Sequence, residues 1–516
     1  MALTVIRGQG VPITQLLLLT FFRNQNLSSD SVLIKRSLLI SFSGRYLGVF
    51  IQFVSIMLLS RLLTPAEIGI YTVSAAVISM AHMVRDFGIS QYLIQEKDLN
   101  REKAAAALGL TYLVAWSLGI LVYAAAPHIA AYYDENLIES VVHVVGFNFF
   151  IIPIGAMAPS LLRRSMSFGT LLKINLSTTL VNATLVVLLA YMGFGVMSMA
   201  WASLAGTCVA AGLGQYYLPS GYRVFPSLRN SRSVLSFGSF FLGSNMATEL
   251  GTSIPDMIIG RVLGFAPLGL FSRAGGYLKI YTSLVSRASY PVVHAYFAKV
   301  NRKSGEVADS YLRTLDLITL VGWTLLSFMA LMSTQLIYVL YGNQWLDAAP
   351  VASVMCAAFM LAVVSQINDQ LLVATGHVRP IFAIATISNA VKISIVAVLA
   401  GEGLVPVAFG IASAILLQFL LTATVTAYAI KIPLRPVIGI LFRNFGIVFI
   451  AMAVPFYYFH AVQTAEISVL RSILELSAAA AYSFTALITM VFVFGHVMKD
   501  EIITTFLLVR KKLTRA

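Results

Sequence analysis

Ionisable side chains lie inside apolar stretches of this sequence that are long enough to cross a lipid bilayer. A charge at the centre of a bilayer costs about 2.5–3.5 kcal/mol, so a charged residue at that depth usually faces protein or a water-filled cavity. Cations in such a cavity can hold an anionic ligand through charge-assisted hydrogen bonds. The basic residues are Arg45, Arg85, Arg273, Lys279, Arg287 and Lys392, and the acidic residues are Asp86, Glu249, Asp256, Asp369 and Glu475.

Depth within the apolar stretch separates the basic residues into two groups. Lys279 and Lys392 lie near the middle of their stretches, so we predict that both line a cavity. Arg45, Arg85 and Arg287 lie within about two turns of one end. For these three the alternative is that the aliphatic stem stays in the membrane while the charge reaches the surface.

One apolar stretch carries three cations, Arg273, Lys279 and Arg287. At about 100° per residue, a continuous α-helix places Arg273 and Arg287 within about 40° of each other and Lys279 about 80° from Arg287. We therefore predict a basic stripe along one side of this helix, facing an anionic ligand. The alternative is that carboxylates of neighbouring helices neutralise these cations. The candidates for such pairing are Glu249, Asp256 and Asp369.

The adjacent residues Arg85 and Asp86 have two interpretations. They belong either to a salt bridge that changes partners between conformations or to a site for H⁺ or Na⁺. Adjacent residues of a helix point about 100° apart, so the two side chains cannot both face one partner. Asp86 and Asp369 are the candidates for ion coupling. The membrane potential, worth about 2.3 kcal/mol per charge per 100 mV, is the alternative driving force.

Motifs for enzymatic chemistry are missing from the sequence. We find no His-Glu-x-x-His, no Gly-x-Ser-x-Gly and no phosphate-binding Gly-x-x-x-x-Gly-Lys-Ser/Thr motif. The two cysteines, Cys208 and Cys356, lie in apolar runs, so a disulfide framework or a cysteine metal site is not expected. We therefore predict a protein without catalytic residues, metal or cofactor.

Composition identifies the chain as an integral membrane protein. Apolar residues make up 59% of its 516 positions and charged residues 11%, and the mean hydropathy is +0.86. Soluble domains carry about 45–50% apolar and about 25% charged residues. These values exclude an ordinary soluble enzyme, a disordered chain and a secreted disulfide scaffold. The net charge of +14 is therefore not evidence for a nucleic-acid partner.

Long apolar runs predict an all-α fold with about fourteen transmembrane helices. A hydrocarbon core of about 30 Å needs roughly 20 apolar residues in a helix, because backbone polar groups in lipid must be satisfied within the segment. The predicted spans cover residues 38–62, 69–93, 104–127, 140–161, 170–192, 195–217, 234–259, 266–290, 315–340, 350–373, 379–400, 405–429, 440–460 and 470–496.

Lysine and arginine positions predict the orientation of these helices. With a cytoplasmic N-terminus, most of the 35 Lys and Arg residues fall in cytoplasmic segments, and the outer loops contain only Arg61, Arg261 and Arg471. Cytoplasmic loops of membrane proteins carry an excess of Lys and Arg. Both termini are therefore predicted to face the cytoplasm.

The two halves of the chain resemble copies of one unit. The segment from Arg61 to Tyr71 aligns with the segment from Arg261 to Phe271 at an offset of 200 residues, with Arg, Leu, Ala and Gly in register. Six predicted spans separate the copies, so both have the same orientation, and the halves should be related by an axis along the membrane normal. The predicted parts are an interfacial or disordered cytoplasmic N-terminal segment (1–37), an N-lobe of six helices (38–218), a cytoplasmic linker (219–233), a C-lobe of six helices (234–430), a C-terminal helix pair (431–496) and a basic cytoplasmic tail (497–516).

Five short motifs occur in order along the two halves. They are Leu63-Thr-Pro-Ala-Glu-Ile-Gly-Ile-Tyr71, Arg85-Asp-Phe-Gly-Ile-Ser90, Asp256-Met-Ile-Ile-Gly-Arg-Val-Leu-Gly264, Leu268-Gly-Leu-Phe-Ser-Arg273 and Tyr341-Gly-Asn-Gln-Trp345. Together they resemble the polysaccharide transporters of the multidrug/oligosaccharidyl-lipid/polysaccharide (MOP) exporter superfamily. The resemblance points to the exopolysaccharide and colanic-acid branch, whose members are bacterial flippases of undecaprenyl-diphosphate-linked oligosaccharides.

This resemblance implies two lobes in a V around a central cavity, alternating access, and movement of a lipid-linked oligosaccharide to the periplasmic leaflet of the bacterial inner membrane. In the similar lipid II flippase, basic residues of spans 1, 2 and 8 hold the diphosphate. By position, the matching residues here are Arg45, Arg85, and Arg273 or Lys279. We expect Arg287 and Lys392 to contribute to the same cationic cavity.

The expected partners are the undecaprenyl-diphosphate-linked oligosaccharide, membrane lipid, and polymerase and chain-length proteins, with the chain itself a monomer.

Three alternative functions would require different sequence features. A cation-coupled drug or metabolite antiporter of the same superfamily should present acidic residues deep in the N-lobe, where spans 1 and 3–6 have none. A flippase of the lipid II type would share the cavity but differ in its glycan. A membrane-embedded glycan ligase or polymerase would need a larger periplasmic loop than any found here.

Overall fold

The computed structural model describes residues 29–86, 88–229, 231, 249–303, 307–432, 434–461, 468–499 and 503, and within these residues every regular element is helical. Several predicted features lie outside them. These are residues 1–28 of the N-terminal segment, residues 232–248 of the linker and seventh span, and nearly all of the basic tail after residue 499.

Among the described residues, the first half of the chain forms nine α-helices. In chain order they are α1 (Ser29–Leu62), α2 (Pro65–Asp86), α3 (Ile89–Gln95), α4 (Arg101–Tyr133), α5 (Asn136–Gly146), α6 (Asn148–Gly155), α7 (Met157–Arg164), α8 (Phe168–Tyr191) and α9 (Met197–Tyr216). Helix α8 packs between α1 and α9, and α9 also contacts α6.

The second half is described from residue 249 onward. Its helices are α10 (249–262), α11 (Phe265–Tyr281), α12 (Arg287–Lys303), α13 (Ala308–Leu331), α14 (Ser333–Tyr341), α15 (Ala349–Ala374), α16 (Val378–Leu399), α17 (Leu404–Ile430), α18 (Leu434–Ala451), α19 (Ala453–Ala461) and α20 (Val469–Val493). Helix α15 lies at the centre of this half, against α11, α12, α13 and α17.

Eleven helical segments of the described residues are long and apolar enough to cross a membrane, so the prediction of an all-α, multi-pass membrane protein is confirmed. The total of fourteen spans stays a prediction.

Some predicted spans are not continuous helices. The span predicted at 69–93 breaks at Gly88, whose φ of 65° lies in the left-handed region. The span predicted at 140–161 consists of α5, α6 and α7.

The span predicted at 266–290 is also interrupted, and this corrects the predicted basic stripe. Helix α11 ends at Tyr281, five residues of π-helix follow (Thr282–Ser286), and α12 begins at Arg287. A π-helical turn holds more residues than an α-helical turn, so the 100° spacing used to align Arg273 with Arg287 does not continue through it. The prediction of one continuous stripe was therefore wrong.

Helices α2 and α11 cross at backbone contact in a reciprocal arrangement. A Cβ atom built on Gly69 would lie 2.6 Å from the carbonyl carbon of Phe265, and one built on Gly269 would lie 2.7 Å from the carbonyl carbon of Pro65. Close to this crossing, the Thr72 hydroxyl donates to the Ser272 hydroxyl at 3.2 Å, across a separation of 200 residues. Only glycine permits this approach, because any larger residue would push the two helices apart.

A polar cluster around the buried Asp316 joins the last helices to α13. Arg443 on α18 donates to Asp316 on α13 at 2.5 Å, and Asn444 donates to the same carboxylate at 3.1 Å. His496, which follows α20, has its Nε2 atom 2.8 Å from Asp316. The Nδ1 atom of His496 accepts the Met498 backbone N–H at 3.0 Å, so the imidazole proton is on Nε2 and points to the cluster.

A second polar contact attaches the opposite end of α20. Glu475 pairs with Arg471 at 2.8 Å and accepts a hydrogen bond from the Gln335 side chain of α14 at 3.3 Å. Glu475, one of the acidic residues identified inside the apolar runs, therefore has a structural partner on each side.

Candidate functional site

A cavity of about 990 Å³ lies between the two halves of the chain. Its walls come from α1, α2, α6 to α9, α10 and α11, and the α2–α11 crossing forms part of them. This volume is at the upper end of the range for small-molecule sites, about 300–1,000 Å³.

The two halves contribute different chemistry to this cavity. Among the described residues, the first half supplies no charged side chain to the lining, only apolar, hydroxyl and amide groups. Its polar lining residues are Gln52, Ser55, Tyr71, Thr72, Ser79, Asn175, Thr178, Thr179, Asn182, Ser203 and Thr207. The second half supplies every charged residue of the described lining, namely Glu249, Asp256, Arg273 and Lys279.

Arg273 is buried with part of its hydrogen-bonding capacity unused. Its side chain stacks beside two aromatic rings, with the guanidinium carbon 5.3 Å from the Trp345 ring centre and 5.9 Å from the Tyr341 ring centre. The Nε and Nη2 atoms are buried without a hydrogen-bond partner. The aromatic rings stabilise the cation through their electron-rich faces, but they leave its N–H groups available to an anion.

Lys279 of α11 and Asp256 of α10 both line the cavity. Lys279 is exposed to the cavity, and Asp256 is half-buried in its wall. No ion pair within 4 Å links Lys279 to Asp256 among the described residues, so neither charge is locked to the other.

Glu249 belongs to a short hydrogen-bonded series that crosses between the halves. Ser253, one turn further along α10, donates to Glu249 at 3.2 Å. The Ser253 hydroxyl also lies 3.0 Å from the Ser79 hydroxyl of α2. Glu249 is thus connected to the first half through two serine hydroxyls.

The remaining predicted site residues have other locations. Arg287 is exposed at the start of α12, and Asp369 is half-buried in α15; neither belongs to the described lining of this cavity. Arg85, at the end of α2, and Lys392, on α16, are half-buried and also absent from that lining. The side chains of Arg45 and Asp86 lie outside the described residues.

Hydrogen bonds hold the two halves together at the end of α1, next to the cavity-lining residue Leu59. The Trp345 indole N–H donates to the Ser60 carbonyl at 2.7 Å, and the Gln344 amide donates to the same oxygen at 2.6 Å and to the Leu63 carbonyl at 3.1 Å. Arg61 donates to the Val339 carbonyl at 3.0 Å. We call this region, with Ser60, Leu63, Gln344 and Trp345, the closed end.

Two peripheral contacts reinforce the closed end. Arg261 of the second half pairs with Asp134 of the first at 3.1 Å, and its guanidinium carbon lies 5.0 Å from the Tyr132 ring centre. The Tyr133 hydroxyl donates to the Met257 carbonyl at 3.0 Å. The halves are therefore held together at several points on this side of the molecule.

Sequence reasoning missed the aromatic partners of Arg273 and the Asp316 cluster. Tyr341 and Trp345 were noted only as parts of a motif, because no rule of spacing connects residues so far apart along the chain. Asp316 lies close to the beginning of a predicted span, where a carboxylate is not unusual. Its burial, at 2% exposed, is the signal that only the fold provides.

The fold is shared with solved transporters. A lipid II flippase, MurJ, in an inward closed conformation superposes with a TM-score of 0.72 at 11% identity, covering 90% of this chain and 99% of that chain. An inward-facing multidrug resistance MATE family transporter of the MOP superfamily superposes with a TM-score of 0.60 at 14% identity, covering 76% and 98%. The chain therefore has the fold of MOP-superfamily transporters.

Sequence similarity identifies the family within this fold. Residues 58–350, more than half of the chain, match the family described as polysaccharide biosynthesis protein, and the chain belongs to that family. TuaB of Bacillus subtilis, a teichuronic acid biosynthesis protein, is 25% identical, covering 74% of this chain and 80% of its own length. WzxC of Escherichia coli, a lipopolysaccharide biosynthesis protein, is 21% identical, covering 78% and 81%. ExoT of Rhizobium meliloti, a succinoglycan biosynthesis transport protein, is 24% identical, covering 59% and 62%.

Proposed function

We propose that this protein is a flippase that carries undecaprenyl-diphosphate-linked oligosaccharides from the cytoplasmic to the periplasmic leaflet of a bacterial inner membrane, for synthesis of a surface polysaccharide. The observation that carries the proposal is the cavity between the halves, with Arg273 buried beside it and two of its nitrogen atoms unpaired. Family membership and the MOP transporter fold support the same function.

The uncharged part of the lining suits a glycan. A sugar hydroxyl that enters hydrocarbon without a hydrogen-bond partner costs about 1–3 kcal/mol on mutational scales, so an oligosaccharide cannot cross the bilayer unaided. The first half offers hydroxyl and amide groups such as Gln52, Asn175 and Asn182, which donate and accept hydrogen bonds. These groups can take the place of water as hydrogen-bond partners of a sugar. Because they are uncharged, they do not favour an anionic or a cationic glycan.

The cationic part of the lining suits the diphosphate. Arg273 has buried N–H groups without partners, and each such group costs about 1–3 kcal/mol until an acceptor reaches it. A phosphate oxygen would meet this need, and Lys279 on the same helix would add a second charge. We assign Arg273 and Lys279 as the principal diphosphate-binding residues, with Arg45, Arg85, Arg287 and Lys392 as further cations on the path of the headgroup.

We further propose that the chain forms two six-helix lobes related by a two-fold axis along the membrane normal, with fourteen spans and both termini in the cytoplasm. The reciprocal contacts of Gly69 with Phe265 and of Gly269 with Pro65 support this symmetry, because an axis between two equivalent helices produces each contact twice. On this orientation the closed end faces the periplasm and the cargo enters from the cytoplasmic side.

Carboxylates of the second half are the proposed sites of ion coupling. Asp256 and Glu249 line the cavity, so a proton or Na⁺ bound there would change the electrostatic field around Lys279 and Arg273. Asp86 and Asp369 are secondary candidates. The described lining has no carboxylate from the first half, which disfavours a cation-coupled drug antiporter whose acidic site lies in that half.

The experiment is transport by the purified protein in liposomes. Undecaprenyl-diphosphate-linked oligosaccharide is placed in both leaflets, and the fraction accessible to an added glycosidase is followed over time. We expect wild-type protein to make nearly all of the substrate accessible, whereas Arg273→Ala and Lys279→Ala should each slow the exchange by at least tenfold.

Arg163→Ala and Lys97→Ala are the matched controls, because both residues are exposed and neither belongs to the described cavity lining. These variants should transport like wild type. No flipping by the wild-type protein, together with export of cationic dyes, would contradict the proposed function. Full exchange by the Arg273→Ala, Lys279→Ala double variant would remove these two residues from the mechanism.

A further inference from the structure

A continuous series of contacts connects the cavity with the closed end. Arg273, at the cavity, packs against the ring of Trp345 at 5.3 Å. Trp345 is fully buried and donates its indole N–H to the Ser60 carbonyl at 2.7 Å. Ser60 belongs to the end of α1 in the first half, whereas Arg273 and Trp345 belong to the second. Trp345 therefore contacts both the unpaired cation and the opposite half.

We propose that Trp345 couples cargo binding to the opening of the closed end. This inference rests on the proposed function, since it names the residue through which an anionic headgroup at Arg273 acts on the contact between the halves. In the described conformation the guanidinium supports the face of the Trp345 ring. An anion that draws the guanidinium towards the cavity removes this support and weakens the bond from Trp345 to Ser60.

The energetic reason is that the described conformation satisfies Arg273 incompletely. Two buried N–H positions of Arg273 have no acceptor while its cation rests on the aromatic rings. A phosphate oxygen offers a stronger interaction with the guanidinium than a ring face does. A ligand shifts a conformational equilibrium only if it binds one state better than the other, and these unsatisfied groups provide that difference.

The Gln344 side chain donates a second hydrogen bond to the Ser60 carbonyl that accepts from Trp345. Its amide donates to Ser60 at 2.6 Å and to Leu63 at 3.1 Å, and its neighbour Trp345 is held in the same short 3₁₀ segment, Asn343–Ala348. Movement of Trp345 therefore also displaces Gln344. We call Gln344 and Trp345, with their hydrogen bonds to the end of α1, the latch. A ligand that binds Arg273 in the cavity would break these bonds.

The test measures the distance between the halves at the closed end by electron–electron resonance. Spin labels are placed at Met192→Cys and Glu402→Cys, both exposed, in a chain with Cys208→Ser and Cys356→Ala. Met192 precedes the turn at Gly195, which lies against Glu67 at the start of α2. Helix α15 begins shortly after Trp345, and α16 follows it in the opposite direction. Glu402 comes directly after α16, so it lies on the same side of the molecule as the start of α15.

The informative variant is Trp345→Phe, which keeps an aromatic face for Arg273 but removes the N–H donor. Without ligand, we expect the open fraction to rise about fivefold over wild type, the equivalent of one net hydrogen bond. Trp323→Phe is the matched control, because Trp323 is also buried and donates to a carbonyl, Met360, at 2.8 Å, but within the second half. This control should leave the open fraction unchanged.

Added undecaprenyl diphosphate tests the coupling. We expect it to increase the open fraction of the wild-type protein, to have no further effect on Arg273→Ala, and to have a reduced effect on Trp345→Phe. If Trp345→Phe does not fold, Gln344→Met removes two bonds of the same latch from an exposed position and should also open the closed end.

The outcomes separate this inference from the proposed function. If the wild-type protein flips lipid-linked oligosaccharide and opens with undecaprenyl diphosphate, but Trp345→Phe and Gln344→Met keep the wild-type distances, the latch is refuted and the flippase stands. If both variants open without ligand but wild-type protein neither binds undecaprenyl diphosphate nor flips its glycan, the latch is an interlobe contact of a transporter with another cargo, and both proposals as stated here are refuted.

Discussion

The crossing of α2 and α11 allows a quantitative prediction about the closed end. Gly69→Ala would place a methyl group against the Phe265 backbone, and Gly269→Ala would place one against the Pro65 backbone. Neither neighbour is a flexible side chain, so the two helices must separate. Overpacking of this kind costs about 1–3 kcal/mol. The cost applies only to the conformation in which the helices touch.

This energy corresponds to a change of about 5- to 150-fold in the ratio of open to closed molecules. The reciprocal contacts make the sites equivalent, so we expect Gly69→Ala and Gly269→Ala to have similar effects. Gly275→Ala is the matched control, because it lies on α11 but a Cβ built there meets nothing within 4 Å. It should leave the ratio unchanged, and it should raise helix stability slightly.

The assay is the distance distribution between spin labels at residues 192 and 402, measured without ligand. Both alanine variants should show a larger long-distance population than the control. The reasoning would be refuted if Gly69→Ala and Gly269→Ala gave the same distribution as Gly275→Ala. A strong effect at one glycine and none at its counterpart would refute the proposed two-fold relation while leaving a one-sided contact in place.

Three further predictions concern individual side chains. Asp316→Ala should lower the free energy of unfolding by about 3–5 kcal/mol in a denaturant titration, because it leaves the buried donors of His496 and Asn444 and the half-buried Arg443 guanidinium without their shared acceptor, whereas Asp309→Ala, exposed on the same helix, should have little effect. Arg261→Ala removes an exposed ion pair and should cost at most about 1 kcal/mol, with liposome transport close to wild type. Lys279→Arg should retain most of the transport that Lys279→Ala loses, since a cation remains at the cavity wall; equal loss in both would assign a different role to Lys279.

The cavity is less purely cationic than the sequence predicts. Glu249 and Asp256 share the described lining with Arg273 and Lys279, so the formal charges balance. The distribution within the cavity matters more than the sum. Arg273 is supported by aromatic rings, whereas Lys279 and Asp256 line the same cavity with no ion pair within 4 Å between them among the described residues. A diphosphate is therefore expected to compete with a carboxylate for Lys279 but not for Arg273.

The C-terminal helices are attached to the second half by polar bonds. Asp316 receives bonds from Arg443 and Asn444 of α18 and lies beside His496 after α20, while Glu475 connects the other end of α20 with α14. Buried bonds of this kind are directional, so they fix the register of α18 and α20 against the second half more strongly than apolar contacts alone. These bonds fix α18 and α20 against α13 and α14.

The sequence by itself determined the class of protein. Apolar runs of bilayer length are a local signal that follows from the lipid around the chain, because backbone polar groups in lipid must be satisfied within each segment. The same reasoning identified Arg273, Lys279, Glu249 and Asp256, because a charge inside an apolar run is costly wherever the fold places it. All four line the cavity of the structure.

Only the tertiary structure decided which charges meet. The regular α-helical geometry of α11 stops at a π-helical turn. Counting residues at 100° each therefore does not show whether Arg287 lies on the same side of the helix as Arg273. The partners of Arg273 lie about seventy positions further along the chain, and the Ser60 carbonyl that receives the Trp345 bond is a backbone atom that carries no sequence signal. Contacts between distant segments depend on how whole helices pack, and a residue's type gives its cost of burial but not its neighbours.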